Sequence, residues 1–192
     1  MKPIVLAAVF AAALASANAA TVPAFTLLPS IASGLPGAVT GWGYDITNTD
    51  PDNFLVLNDS TVSGSLSTGT FGTYVDYIAL NFIVIGPGAG TGPVNFSPGT
   101  AGIGEFDIVQ FVPIMAIPGS IDLDYSLFSQ DPNSPNFDPG SLVASGTVSA
   151  NTAVQVVPEP GTVFLLAAAS LALGFALRWR GEGRPLTYRK SG

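Results

Sequence analysis

The chain has 192 residues, 47% of them hydrophobic and only 10% charged, and its 22 Gly and 16 Pro make up about a fifth of the total, against roughly 12% in an average protein, which argues against a helical bundle. Six Lys+Arg against thirteen Asp+Glu give a formal charge of −7 at pH 7, the wrong sign for nucleic-acid binding. There is no His and no Cys, so the usual general base, the usual zinc ligands, thiol catalysis and disulfide scaffolds are all missing.

In chain order, Met1-Lys2 is a short positive start, Ile4 to Leu14 is apolar, and Ala17-Asn18-Ala19 has the small-x-small pattern of a signal-peptidase site. Residues 1–19 are therefore predicted to be a Sec-type signal peptide, cut by signal peptidase after Ala19. Residues 20–157 form the passenger, one domain by length, burying roughly two-thirds of its unfolded surface. Its strands are marked by alternation. Trp42, Tyr44 and Ile46 are separated by Gly43 and Asp45, and Ile121, Leu123, Tyr125 and Leu127 by Asp122, Asp124 and Ser126. Period two is the mark of half-buried strands. Further strands are expected at Phe54 to Leu57, Thr61 to Ser67, Glu105 to Phe111, Ser141 to Ser149 and Thr152 to Val157. The nearly continuous apolar run Tyr74 to Ile85 predicts a central strand covered on both faces.

Asp50-Pro51-Asp52-Asn53, Gly86-Pro87-Gly88, Ser97-Pro98-Gly99 and Asp131 to Asn136 are turns by composition, and Gly86 to Gly104 reads as a long loop. The expected fold class is mainly β: a single antiparallel β-sandwich, jelly-roll or Ig-like, followed by a C-terminal transmembrane helix.

Three groups of passenger residues are candidate sites. Asp122 and Asp124 share one face of a strand about 7 Å apart at the backbone, a separation at which paired carboxylates cleave glycosides; Ser120 and Ser126 on the same face favour the alternative, the solvent face of an amphipathic strand. Asp131, Asn133, Asn136 and Asp138 form an oxygen-rich loop able to take Ca²⁺, with a plain turn cluster as the alternative; Asp50, Asp52 and Asn53 are a smaller version. Trp42 and Tyr44 either stack on sugar rings or belong to the core. No cofactor is expected other than Ca²⁺ at the Asp131 to Asp138 loop.

The C-terminal part has a different character. Val163 to Leu177 is fifteen residues without a charge, about 23 Å of helix, closed by Arg178-Trp179-Arg180, where cations snorkel and an indole suits the interface. This predicts a transmembrane helix over 163–177 and a basic cytoplasmic tail over 181–192. Before it, Pro158 and Pro160 hold Glu159 in an extended segment beside the membrane. The order Pro-Glu-Pro-x-Thr, apolar span, Arg cluster over Pro158 to Arg180 resembles the PEP-CTERM sorting signal of Gram-negative bacteria. The Arg-Trp-Arg cluster and the extension Gly181 to Gly192 depart from that pattern.

The resemblance implies that Pro158, Glu159, Pro160 and Thr162 are a substrate site, recognised and cut by exosortase, a membrane-embedded cysteine transpeptidase of bacteria that make exopolysaccharide. The implied protein is an exported, non-enzymatic envelope or extracellular-matrix protein. It is anchored transiently in the inner membrane and then reaches the cell surface or matrix, in a setting of exopolysaccharide or biofilm. A calcium-assisted carbohydrate-binding module is the alternative, and a glycosidase using Asp122 and Asp124 a third reading. Charge supports the division into parts. All six basic residues lie at Lys2 or from Arg178 onward, and Thr21 to Val157 carries eleven acids and no cation.

Overall fold

In the computed structural model the described residues are 21–181; the expected signal peptide, with Ala17 and Ala19, and the tail from position 182 lie outside them. The strands are β1 (Ala24–Leu28), β2 (Ile31–Gly34), β3 (Val39–Thr47), β4 (Phe54–Gly64), β5 (Gly72–Asp76), β6 (Ile83–Ile85), β7 (Gly104–Ile108), β8 (Ala116–Phe128) and β9 (Leu142–Val156), and the helix α1 is Pro160–Gly181. They form a four-stranded sheet in the order β1-β3-β7-β5 and a five-stranded sheet in the order β2-β9-β8-β4-β6. From β3 to β7 successive strands alternate between the sheets, unlike the immunoglobulin partition, in which consecutive pairs share a sheet.

Period two builds the core. The odd-numbered positions Ile117, Ile121, Leu123, Tyr125 and Leu127 of β8 are buried, and they join Leu55 and Leu57 of β4 and Val154 and Val156 of β9. From the other sheet, Trp42, Tyr44 and Ile46 of β3 and Phe106 and Ile108 of β7 enter the same cluster. Burying each such side chain contributes roughly 1.5–3 kcal/mol. Between them, Ser120, Asp122, Asp124 and Ser126 lie half-buried on the outer face, as the alternation predicts.

Several expectations need correcting. The ladders are antiparallel except that β2 pairs with β9 in parallel, Ile31 opposite Ala153 and Gly34 opposite Val156. β1 and β2 are nearly one extended path, and the bend at Pro29-Ser30 carries it from one sheet to the edge of the other; a strand that turns such a corner takes the direction it arrives with. The run Tyr74 to Ile85 is not a central strand. It splits into β5 and β6, at the edges of different sheets. The break is local: the Asp76 carboxylate accepts from the backbone N–H of Ile78 (2.8 Å) and Ala79 (3.0 Å), and Asn81 N–H donates to the Ile78 carbonyl at 2.9 Å. Tyr77 and Ile78 are buried because the chain is crossing between sheets there.

The two segments expected at Phe54 to Leu57 and Thr61 to Ser67 are one strand, irregular between Leu57 and Asp59, and Ser65–Ser67 is a 3₁₀ turn. Ser141 to Ser149 and Thr152 to Val157 likewise fuse into β9, and the strand expected at Glu105 to Phe111 stops at Ile108. Gly86 to Gly104 is irregular as expected, but part of it follows β3. Tyr44 and Val94 exchange backbone hydrogen bonds of 2.9 and 2.8 Å beyond the point where β7 has begun. Gly43 permits this approach, since a Cβ there would stand 2.1 Å from the Val94 carbonyl oxygen.

The strand ends form two sets of loops. Residues 35–38, 65–71 and 109–115 gather where β9 delivers the chain to α1: Gly37 N–H bonds the Ile108 carbonyl, Val109 N–H that of Phe71, and Val156 N–H that of Met115. Residues 48–53 and 129–141 lie at the opposite end, where Phe54 of β4 faces Phe128 of β8.

Candidate functional site

β9 ends at Val156, and Val157 still donates a backbone hydrogen bond to the Gly34 carbonyl at 3.0 Å. The next residue is Pro158, half-buried, and then Glu159, exposed. Pro160 opens α1, a position where its missing N–H is no loss and its fixed φ suits the helix. Glu159 is therefore displayed between a proline that ends the sheet and a proline that starts the helix. Thr162 lies in the first turns of α1, whose 22 residues measure about 33 Å at 1.5 Å per residue.

Residues 163–177, expected to span a membrane, all fall within α1. Phe164, Leu165, Leu166, Leu171 and Leu173 are exposed, and Ser170 returns its hydroxyl to the Leu166 carbonyl at 2.7 Å, satisfying it within the helix. Among the described residues no helix is long and apolar enough to cross a membrane.

In the passenger, the candidate calcium loop forms the β8–β9 connection. Each of its carboxylates is turned onto backbone: Asp131 accepts from Asn133 N–H at 2.9 Å and Asp138 from Gly140 N–H at 2.8 Å. The side chains of Asn133 and Asn136 are not brought into these bonds, although the Asn136 N–H donates to the Ser134 hydroxyl at 3.3 Å. Among the described residues no three acidic side chains converge as a metal-binding group. Asp50 is a tighter knot. It is buried and accepts from the N–H of Asp52 and Asn53, the Asn53 amide and the Thr21 hydroxyl, all at 2.9–3.0 Å. Burial works against its charge, but these bonds outweigh it and hold its carboxyl below the usual aspartate value.

Trp42 and Tyr44 are core residues, 0% and 6% exposed, and are not available to stack on a sugar; the period-two pattern that marked them is also what turned them inward. The Trp42 Nε1 has no hydrogen-bond partner, and its ring lies 6.4 Å from that of Tyr74.

Asp122 and Asp124 do share the outer face of β8, but they are not a pair by themselves. Asp124 lies directly opposite Asp59 of β4 on one side and Thr147 of β9 on the other, and the Thr147 hydroxyl donates to it. Asp122 faces Thr61 and Ser149. Sequence reading missed Asp59, because only the irregularity after Leu57 brings it into register. Burial first, then the carboxylates of Asp124 and Asp76, raise its pKa above the ordinary aspartate value. A raised carboxyl binds its proton more tightly in the native than in the unfolded chain, so stability falls as pH rises from the unfolded value through the folded one. Asp59→Asn is expected to stabilise the protein by about 0.5–1 kcal/mol at pH 7. The gain should fade near pH 3, where both states are protonated; urea unfolding at the two pH values checks this.

A second cluster that was not foreseen joins the sheets. Ser60 of β4, buried, donates to Asp76 of β5 and lies 2.7 Å from the Tyr74 phenol and 3.2 Å from the Ile103 carbonyl. Burial pushes the Tyr74 phenol above its usual value. A concavity of about 450 Å³ lined by Ser60, Leu66, Tyr74 and Asp76 opens beside it. A hydroxyl held directly by a carboxylate, in a chain without His, lacks the imidazole that moves the proton in a serine triad. The cluster ties β4 to β5 across the two sheets.

No curated protein and no solved structure matches the chain. Residues 156–180 match the family model described as the PEP-CTERM protein-sorting motif, from the last residue of β9 through most of α1. The motif implies exosortase-dependent sorting of an exported protein, with transient membrane anchoring in a Gram-negative bacterium. By that match, the chain carries a PEP-CTERM sorting motif, C-terminal to a body made of two β-sheets.

Proposed function

We propose that this is a non-enzymatic protein of the envelope or extracellular matrix, held by α1 in the inner membrane until exosortase cuts at the Pro158 to Thr162 segment, and then retained among exopolysaccharide. The match over residues 156–180 carries this reading. Its placement supports the same view, because the motif begins where the β body ends and passes through an exposed glutamate into a helix whose uncharged run over 163–177 is about 23 Å long, most of the roughly 30 Å hydrocarbon core, and is closed by Arg178-Trp179-Arg180. Arg178 and Arg180 stay on the cytoplasmic side by the positive-inside tendency. The absence of His and Cys and the burial of Trp42 and Tyr44 favour a structural passenger over an enzyme or an aromatic sugar-binding site.

Cell fractionation tests the proposal. In the native host the β body is expected in the surface or matrix fraction. In a strain lacking the transpeptidase it should accumulate in the inner membrane as a longer precursor. Identical distribution in both strains contradicts it.

A further inference from the structure

The loop between β7 and β8 reads Val109-Gln110-Phe111-Val112-Pro113-Ile114-Met115, without a charge. Val112 is 7% exposed and plugs into the core, while Phe111 is 91% and Ile114 63% exposed. The loop is fixed at both ends: Val109 N–H donates to the Phe71 carbonyl at 3.0 Å, and the Met115 carbonyl accepts from Val156 N–H at 2.9 Å. An aromatic ring and a branched aliphatic chain are thus held outward by a loop whose middle residue is anchored.

The position of this loop indicates its partner. Met115 is bonded to the last residue of β9, and α1 begins four residues later at Pro160, a separation of at most about 14 Å along the chain. The neighbouring loops at this end, residues 35–38 and 65–71, also carry no charge, whereas the opposite end carries Asp50, Asp52, Asp131 and Asp138. An acidic body approaches an anionic bilayer most readily by the end whose loops carry no acid, the nearest carboxylates there being Asp107 on β7 and Glu159 after β9.

We propose that Phe111 and Ile114 form a lipid-docking tip that seats the β body on the outer surface of the membrane while α1 is inserted, resting on the membrane reading of α1 given above. Two apolar side chains bind lipid weakly alone, and the tether supplies the effective concentration that makes them count. Docking holds the Pro158 to Thr162 segment at the bilayer surface, within reach of a membrane-embedded enzyme, and cutting removes the tether and releases the body.

The chain has no Cys, so single-cysteine variants of the full chain can be labelled cleanly with an environment-sensitive dye. Phe111→Cys, Leu80→Cys (Leu80 is 77% exposed in the β5–β6 turn) and Leu173→Cys would be reconstituted in phosphatidylethanolamine and phosphatidylglycerol vesicles with a spin-labelled lipid quencher. Blue-shifted, quenched emission is expected at positions 111 and 173 and not at 80. Quenching at 173 without 111 overturns the docking and leaves the inserted helix standing. Quenching at 111 without 173 means that the tip binds lipid unaided and overturns both the inserted helix and the tether-dependent docking; quenching at neither overturns both as well. Equal quenching at 111 and 80 overturns an oriented tip. Protection of position 111 that requires the transpeptidase replaces lipid by a protein contact and likewise overturns the proposal.

Discussion

Asn48→Asp is expected to lower the stability of the β body by about 3 kcal/mol, on the order of 10 °C in Tm. Asn48 is 1% exposed and lies just past the end of β3. Its side-chain amide donates to the carbonyls of Asn53 (2.8 Å), Ile85 (3.2 Å) and Gly86 (3.0 Å), and its side-chain oxygen accepts from Asp50 N–H at 3.1 Å. One side chain thus binds the start of β4 and the end of β6, both in the five-stranded sheet, to the end of β3 in the other. An aspartate of the same shape keeps the acceptor but turns the donor group into an anion facing three carbonyl oxygens. Asn48→Ala is expected to cost less, because it leaves carbonyls unpaired without adding a buried charge. The two variants also separate by pH. The substituted carboxyl should have a raised folded pKa, so the deficit of Asn48→Asp grows as pH rises through the carboxylate range and shrinks on acidification, while that of Asn48→Ala stays level. Urea unfolding of both variants from pH 3 to pH 7 reads this directly.

The second large effect is on maturation. Glu159→Ala is expected to lower the ratio of processed to unprocessed chain at least about tenfold, on the grounds that losing a buried charge-assisted contact in a recognition cleft costs more than 1.4 kcal/mol. Glu159 is exposed, and the prolines on either side restrict it to an extended form, so little conformational freedom is lost when an enzyme cleft closes on it. Glu159→Gln keeps the shape and removes the charge, and separates recognition of the carboxylate from recognition of the extended backbone. Thermal unfolding of the β body is the control that separates a change in recognition from a change in fold. Gel mobility of the precursor and mature forms in the native host measures the ratio.

How much could be read in advance depends on whether the determining contacts are local. The sorting segment is local: Pro158, Glu159, Pro160 and the apolar run after them act through backbone restriction and hydrophobicity, and the family match covers the same residues. The alternation in β3 and β8 is local too, and the core uses those side chains. The run Tyr74 to Ile85 misled because continuous apolarity marks burial without saying by what; here burial comes from crossing between sheets, directed by the Asp76 and Asn81 turns. β1 and β2 escaped because short edge strands broken by Pro29 carry little periodicity. The Asp59–Asp124 pairing and the Ser60–Tyr74–Asp76 tie depend on register between strands far apart in sequence, which periodicity does not contain. The outward setting of Phe111 and Ile114 required knowing that Val112 faces in and that β9 ends beside Met115.

Intact-mass measurement of the mature protein from its native host tests the central claim most directly. The account predicts a species lacking residues 1–19 and ending within or just after the Pro158 to Thr162 segment, with all of the apolar part of α1 removed. A mature form that retains α1 through Gly192 would contradict it.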